Sequence, residues 1–315
     1  MTEQEFSELL SLKTGQVQEI IQDRFLSAMK AWEHIYLGTA LESMEYSFMA
    51  GGKRLRPLMM REAFWLFAGS DVRENEDLKT FMTALEMIHT YSLVHDDLPA
   101  MDNDEYRRGR KTTWKVYGDG MAVLAGDGLL NAAYELAFDA IKGHALSGNI
   151  EKMTKAARSG ALLSGNAGLS GMLGGQFADV EAEKKHLDID LEEIYFIHER
   201  KTAALIGTAL GIGAILGGAG EEELEKVREI AKKVGIAFQI QDDLLDVIGD
   251  SKELGKTVGS DAQSGKQTYV TLMGIEASKA EVKKLSEEAI TILSTLPGDK
   301  AFLEELILHL IYRKK

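Results

Sequence analysis

The chain contains no cysteine. That excludes disulfides, thiolate metal sites and a cysteine nucleophile together, and it suits a reducing, cytoplasmic setting. Proline is nearly as scarce, with three in 315 residues, at positions 57, 99 and 297, so little interrupts a long helix. Positive charge is in deficit: the formal net charge is −14, the wrong sign for a general nucleic-acid surface. The opening residues carry Glu3, Glu5 and Glu8 and lack the basic start and apolar run of a signal peptide. Residues 202–220 carry no charge, but glycines at 207, 211, 213, 217, 218 and 220 lower their hydrophobicity. A closely packed buried helix is expected there rather than a membrane span.

What is present is helical periodicity. Apolar residues recur at i, i+3 and i+4 over Phe6 to Trp32, Leu58 to Phe67, Leu78 to Leu93, Ala122 to Ile141, Leu191 to Leu216, Glu221 to Val247 and Ala280 to Leu296, and no run alternates convincingly with period two. Glycines punctuate the segments, and no biased linker separates them. The expectation is an all-α fold, one domain over residues 1–315, long enough for a sizeable core.

Against that background two acidic clusters stand out: Asp96-Asp97-Leu98-Pro99-Ala100-Met101-Asp102-Asn103-Asp104 and Asp242-Asp243-Leu244-Leu245-Asp246. Carboxylates this dense repel one another unless a cation offsets them, and hard oxygen ligands suit Mg²⁺, whose remaining shell substrate phosphates can fill. Facing one another, the clusters would form a multi-metal diphosphate site. Asp242 and Asp246 lie on one helical face as i and i+4, joined by Gln239. Their apolar neighbours Phe238, Ile240, Leu244, Leu245, Val247 and Ile248 predict burial, where carboxylates need pairing or a metal. Asp96 and Asp102 would diverge on a regular helix. Pro99 between them predicts a local bulge around Leu98 to Met101 that returns Asp102 to the face of Asp96. His89 shares that face further down.

Basic residues cluster at three places, beside an acidic cluster or at glycine-marked helix starts. Gly51-Gly52-Lys53-Arg54-Leu55-Arg56-Pro57 places three of them in a turn opening a helix, where backbone N–H groups and guanidinium forks suit a diphosphate. Arg107-Arg108-Gly109-Arg110 follows the first acidic cluster, and Lys201-Thr202 begins the glycine-rich helix. The polar segment from Asp250 to Tyr269, with Lys256 and Lys266, reads as a lid over phosphates.

In order and spacing, these motifs resemble the trans-isoprenyl diphosphate synthases, or polyprenyl synthetases, over about residues 51–270. The set comprises the Gly-Gly-Lys-Arg-Leu-Arg-Pro turn, the aspartate-rich segment followed by Arg-Arg-Gly, Gly-Gln-x-x-Asp at 175–179, Lys201-Thr202, Phe-Gln-x-x-Asp-Asp-x-x-Asp at 238–246 and Gly-Lys at 255–256. The bacterial farnesyl diphosphate synthases are the most similar branch. The resemblance implies an all-α bundle with a central active-site cavity, usually a homodimer. It implies an enzyme joining isopentenyl diphosphate head-to-tail to dimethylallyl or geranyl diphosphate. By similarity, Asp96 and Asp102 bind two of three Mg²⁺ and Asp242 the third, supported by Asp97, Asp243 and Asp246. Arg107, Lys201 and Lys256 hold the allylic diphosphate, while Lys53, Arg56, His89 and Arg108 hold isopentenyl diphosphate. Thr202 and Gln239 face the developing allylic cation. Lys266 joins the closing contacts, as do the terminal Arg313-Lys314-Lys315. Departures are local: Arg110-Lys111-Thr112 stands where many members have Lys-Pro-Thr, Glu105-Tyr106 replaces Asp-Leu, and Val270 follows Tyr269 in place of Pro.

In such enzymes the residues four and five positions before the first aspartate help to limit chain growth. Here they are Ser92 and Tyr91. The bulk of Tyr91 favours a fifteen-carbon farnesyl product, with a geranylgeranyl synthase as the alternative. A class I terpene cyclase would not need the second set of cations at Lys53, Arg56 and Arg108. A non-catalytic regulatory homologue tends to lose carboxylates or the Lys-Thr pair, and a simple acidic metal-binding bundle leaves the basic turns unexplained.

Overall fold

The computed structural model describes residues 2–185, 187–248 and 267–312. In chain order the helices are α1 (Glu3–Ala31), α2 (Gly38–Phe48), α3 (Leu55–Ala68), α4 (Glu76–Asp96), α5 (Thr113–Tyr117), α6 (Asp119–Leu146), α7 (Ile150–Ala167), α8 (Met172–Lys185), α9 (Leu191–Ile197), α10 (Ala204–Gly217), α11 (Glu221–Ile248), α12 (Tyr269–Met273), α13 (Ile275–Ser294) and α14 (Ala301–Ile311). A two-stranded hairpin, β1 (Tyr106–Arg107) with β2 (Arg110–Lys111), lies between α4 and α5. The fold is all-α. No described helix is long and apolar enough to cross a membrane.

The chain groups into two compact units. One comprises Thr2–Arg61 and Asp71–Ala161. Its α1 opens on a capping box between Thr2 and Glu5 and buries Phe6, Val17, Ile21, Phe25 and Met29 at helical spacing. The Phe25 ring stacks on Phe48 of α2 with centroids 4.1 Å apart. Helix α4 packs along α6 and is buried on nearly all sides. At one end of that pair, His144 in the last turn of α6 meets Asp77 in the first turn of α4 at 2.8 Å. The Asp77 carboxylate thereby sits at the helix N-terminus, the end that favours negative charge.

Of the three cations in the glycine turn, Arg54 serves the fold. Its backbone takes a left-handed φ of +46°, and its side chain is buried. It donates to Glu86 of α4, to Gln18 Oε1 of α1 and, at 2.6 Å, to the Phe48 carbonyl. Arg54 thereby fixes the turn from which Lys53 and Arg56 extend. Removing one partner of a buried pair strands the other charge, at a cost of about 3–5 kcal/mol. Arg54→Ala is accordingly expected to lower unfolding free energy by that amount in a denaturant titration. A change under about 1 kcal/mol would show that the pair is not a keystone of the turn.

The other unit comprises Glu62–Ser70 and the described part of Leu162–Lys315. Helix α10 holds the uncharged glycine-rich stretch and is buried almost throughout, as its composition predicts. The expected continuous helix from Leu191 to Leu216 is instead divided: residues His198–Ala203 form a π-helical turn between α9 and α10. Two glycines permit close approach to this turn. A Cβ at Gly175 of α8 would overlap the backbone at Lys201, and one at Gly235 of α11 would overlap Ala203. An inserted π turn re-aims side chains relative to a regular helix and recurs at functional sites. Here it carries Lys201 and Thr202.

Candidate active site

In the first unit, α4 ends at Asp96 and the chain turns through Pro99. The Asp102 N–H donates to the Asp96 carbonyl at 2.9 Å, while the N–H groups of Met101 and Asn103 donate to the Leu98 carbonyl at 2.9 and 3.1 Å. Asp102 thus returns beside Asp96, through a helix end and a tight loop rather than a bulge in a continuing helix. The reason is Pro99: it supplies no N–H to continue the ladder.

Asp97 points inward and is buried. Arg107 Nε donates to its Oδ1 at 2.6 Å, and Arg107 Nη2 lies 3.6 Å from Asp104. Burial pushes the Asp97 carboxyl up from its ordinary value, against the pull of the Arg107 hydrogen bond. Arg107 belongs to the hairpin, paired with Arg110. Arg108 and Gly109 form its tip at φ +53° and +74°, a primed turn matched to strand twist. The tip sends the neighbouring arginines apart: Arg107 to the acidic loop, Arg108 to the Gly51 carbonyl.

Arg56 and His89 meet at 3.3 Å, Nη1 to Nε2. Arg56 Nε is buried with no hydrogen-bond partner among the described residues. Ser92, one turn along α4, donates its hydroxyl to the His89 carbonyl at 3.0 Å. Burial and then the charges of Arg56, Arg108, Arg54 and Arg107 hold the His89 imidazole well below its ordinary 6.5. His89 is therefore neutral at physiological pH. Its pKa is depressed by folding, so the unfolded chain takes up the extra proton. The associated stability is complete above about pH 6.5 and is lost as pH falls below it, by at most about 1.4 kcal/mol per pH unit. His89→Gln is expected to flatten that acid limb in urea melts across pH 5 to 7. An unchanged limb would assign the proton uptake elsewhere.

In the second unit the π turn brings three expected residues together. Lys201 Nζ pairs with the buried Asp179 at 2.5 Å, and Thr202 Oγ1 donates to Gln239 Oε1 on α11 at 2.9 Å. His198, a residue sequence reasoning passed over, lies 3.6 Å from Asp243. Asp243 also accepts from the Tyr269 N–H at 3.2 Å. A cavity of about 40 Å³ is lined by Asp179, His198, Lys201, Gln239 and Asp243 among others, room for a few waters. Asp243 and Asp246 are buried while Asp242 is half-buried. Lys256, Lys266 and the terminal Arg313 to Lys315 lie outside the described residues.

Among the described residues no three acidic or histidine side chains gather closely enough to hold a metal by themselves. The potential ligands in both clusters are hard oxygen donors, mainly carboxylates, and the loop at Pro99 brings Asp102 beside Asp96. Few protein oxygens, with water and phosphate completing the shell, is the pattern that Mg²⁺ favours. The residues fit that ion and disfavour a soft metal.

The pattern described as Polyprenyl synthetase matches residues 39–302. The chain is 44% identical to the farnesyl diphosphate synthase of Bacillus subtilis over 265 residues, covering 84% of this chain and 86% of that protein. It is 42% identical over 275 residues to a heterodimeric geranylgeranyl pyrophosphate synthase large subunit, chloroplastic, of Arabidopsis thaliana, covering 87% and 72%. A geranyltransferase of Helicobacter pylori, solved with magnesium and isoprenyl diphosphate, superposes with a TM-score of 0.70 at 30% identity, covering 95% of this chain and 96% of that one.

Proposed function

The chain belongs to the polyprenyl synthetase family, and on that premise we propose that it condenses isopentenyl diphosphate with dimethylallyl or geranyl diphosphate, giving (2E,6E)-farnesyl diphosphate and diphosphate. The observation that carries this reading is the charge order along α4. At His89 the helix faces Arg56 and Arg108; at Asp96 it ends in the acidic loop. Seven residues of helix separate the two by about 10 Å along the axis. Cations suit a diphosphate taken up directly, and carboxylates suit one taken up with metal.

In this reading Lys53, Arg56, His89 and Arg108 bind the isopentenyl diphosphate headgroup, with neutral His89 offering an N–H donor. Asp96, Asp102 and Asp242 would hold three Mg²⁺, which act as Lewis acids on the leaving diphosphate. Arg107 and Lys201 orient the allylic diphosphate, each steadied by its own carboxylate, Asp97 or Asp179. Lys256 and Lys266 join them. The Thr202 hydroxyl and the Gln239 amide, linked at 2.9 Å, set fixed dipoles beside the developing allylic cation. The isopentenyl alkene attacks that cation, and the proton lost from the adjacent carbon passes to the departing diphosphate. No side-chain nucleophile or base is required, in keeping with a chain that lacks cysteine.

The proposal treats residues 1–315 as one working domain, supported by a family match that runs through both units. It includes a cytoplasmic homodimer. Exposed Leu124 and Phe138 on α6 give a self-association surface some apolar area. A geranylgeranyl product is the second reading, favoured by the similarity to the Arabidopsis protein. Product identification with Mg²⁺, isopentenyl diphosphate and each allylic substrate decides between them: farnesyl diphosphate as end product supports the first, its further elongation the second, and no prenyl product removes both. Tyr91 is buried on α4 and is assigned as the floor. Tyr91→Ala is expected to shift the main product by at least one five-carbon unit, and an unchanged length would remove Tyr91 from that role.

A further inference from the structure

Tyr91 does not stand alone. His95 follows it by four residues on α4, and the two rings meet edge to face with centroids 5.7 Å apart. His95 Nε2 lies 3.0 Å from the Val123 carbonyl of α6 and 3.9 Å from Asp127. Its ring occupies the space that a side chain at Gly126 would fill: a Cβ there would overlap the imidazole. Gly126 sits within α6 at no unusual φ, so close approach is what requires glycine at this position. Tyr134 lies on α6 eight residues beyond Gly126, near enough to Tyr91 for their phenol groups to interact electrostatically. The imidazole is therefore held on two sides, by the α6 carbonyl and by the notch. Tyr91 leans on its remaining side.

We infer that His95, seated in the notch at Gly126, is a positioning residue for product length: it fixes the Tyr91 ring so that a growing chain cannot push it aside. The inference rests on the proposed synthase reading, with Tyr91 as the floor. Buried aromatic rings hop between rotamers when a neighbour yields. A chain one isoprene unit too long presses on Tyr91, and the ring gives way only if His95 leaves the notch. His95→Ala removes the prop. Gly126→Ala leaves the imidazole in place chemically but expels it from its seat. His95→Phe keeps a ring against Tyr91 and gives up the polar contacts to Val123 and Asp127.

The test is the product distribution of these variants, each checked for folding by thermal melting. His95→Ala and Gly126→Ala should each raise the ratio of the next-longer product to the wild-type product on the order of tenfold, within the range typical of small changes in an apolar pocket. His95→Phe should keep the wild-type ratio. In the His95→Ala background, Gly126→Ala should add nothing, because no ring remains for it to displace. An unchanged ratio in folded His95→Ala, or full additivity in the double variant, overturns the inference. If His95→Ala does not fold, a lengthened product from His95→Phe overturns it equally. Wild type yielding no prenyl product, or Tyr91→Ala leaving length unchanged, counts against the underlying reading. Tyr91→Ala lengthening the product while the His95 and Gly126 variants do not counts against this inference alone.

Discussion

Asp102→Ala is expected to lower kcat/KM for condensation by about 10³-fold, roughly 4 kcal/mol of transition-state stabilisation. The loss should fall mainly on kcat, because charge on the leaving diphosphate grows as the allylic bond breaks and the interaction is strongest there. The structural reason is the loop at Pro99. It returns the Asp102 backbone to hydrogen-bond distance of Asp96, so the two aspartates are neighbours in space despite six residues of separation. Either one alone is a weak magnesium site. Asp104→Ala is the control. Asp104 lies 3.6 Å from Arg107 and is half exposed, so its loss should cost less than tenfold, as for a partly solvated ion pair. Steady-state kinetics over a range of Mg²⁺ concentrations measures both. Asp102→Ala within tenfold of wild type at saturating Mg²⁺ would mean that this carboxylate holds no essential ion.

Arg56→Ala should raise KM for isopentenyl diphosphate by about 10²-fold, equivalent to about 2.7 kcal/mol, with a smaller effect on kcat. Arg56 meets the neutral His89 rather than a carboxylate, and its Nε has no partner among the described residues. Burial lowers its pKa, Glu86 raises it and Arg108 lowers it again; but Glu86 is already committed to Arg54. A cation placed among cations in this way is costly until an anion arrives. Removal should therefore leave folding stability unchanged or slightly higher, opposite in sign to the expected cost of Arg54→Ala two residues earlier. Arg56→Lys should not restore binding fully, because an ammonium lacks the planar fork that grips a phosphate. An unchanged KM in Arg56→Ala, measured with the allylic substrate saturating, would move the isopentenyl headgroup away from this residue.

Much of this was legible in the sequence, for identifiable reasons. Long helices such as α1 and α11 bury a regular stripe, and apolar period finds a stripe. Helix α8 was missed because its glycines, Gly174 and Gly175 among them, pack closely without large side chains to mark a face, and α7 because small residues, Ala156, Ser159 and Ala167, make up most of its buried stripe around Leu163. The π turn at His198–Ala203 leaves no mark in a 3.6-residue pattern, since it depends on α8 and α11 approaching at Gly175 and Gly235. At the site, residue type and spacing pointed to the convergence of Asp96 with Asp102, but not to the loop that achieves it. Arg54 could not be told from Arg56 by type; only its left-handed backbone and its contact with Glu86 distinguish them. His198 was passed over because its partner, Asp243, is distant in sequence, although its place three residues before Lys201 was a usable signal.

The most direct measurement is diphosphate release, followed with Mg²⁺ and three substrate conditions: allylic diphosphate alone, isopentenyl diphosphate alone, and both. The proposed two-substrate condensation predicts release only when both are present, in a one-to-one ratio with isopentenyl units incorporated, and its abolition by a chelator. Release at the same rate from the allylic diphosphate alone, or no release under any condition, would contradict it.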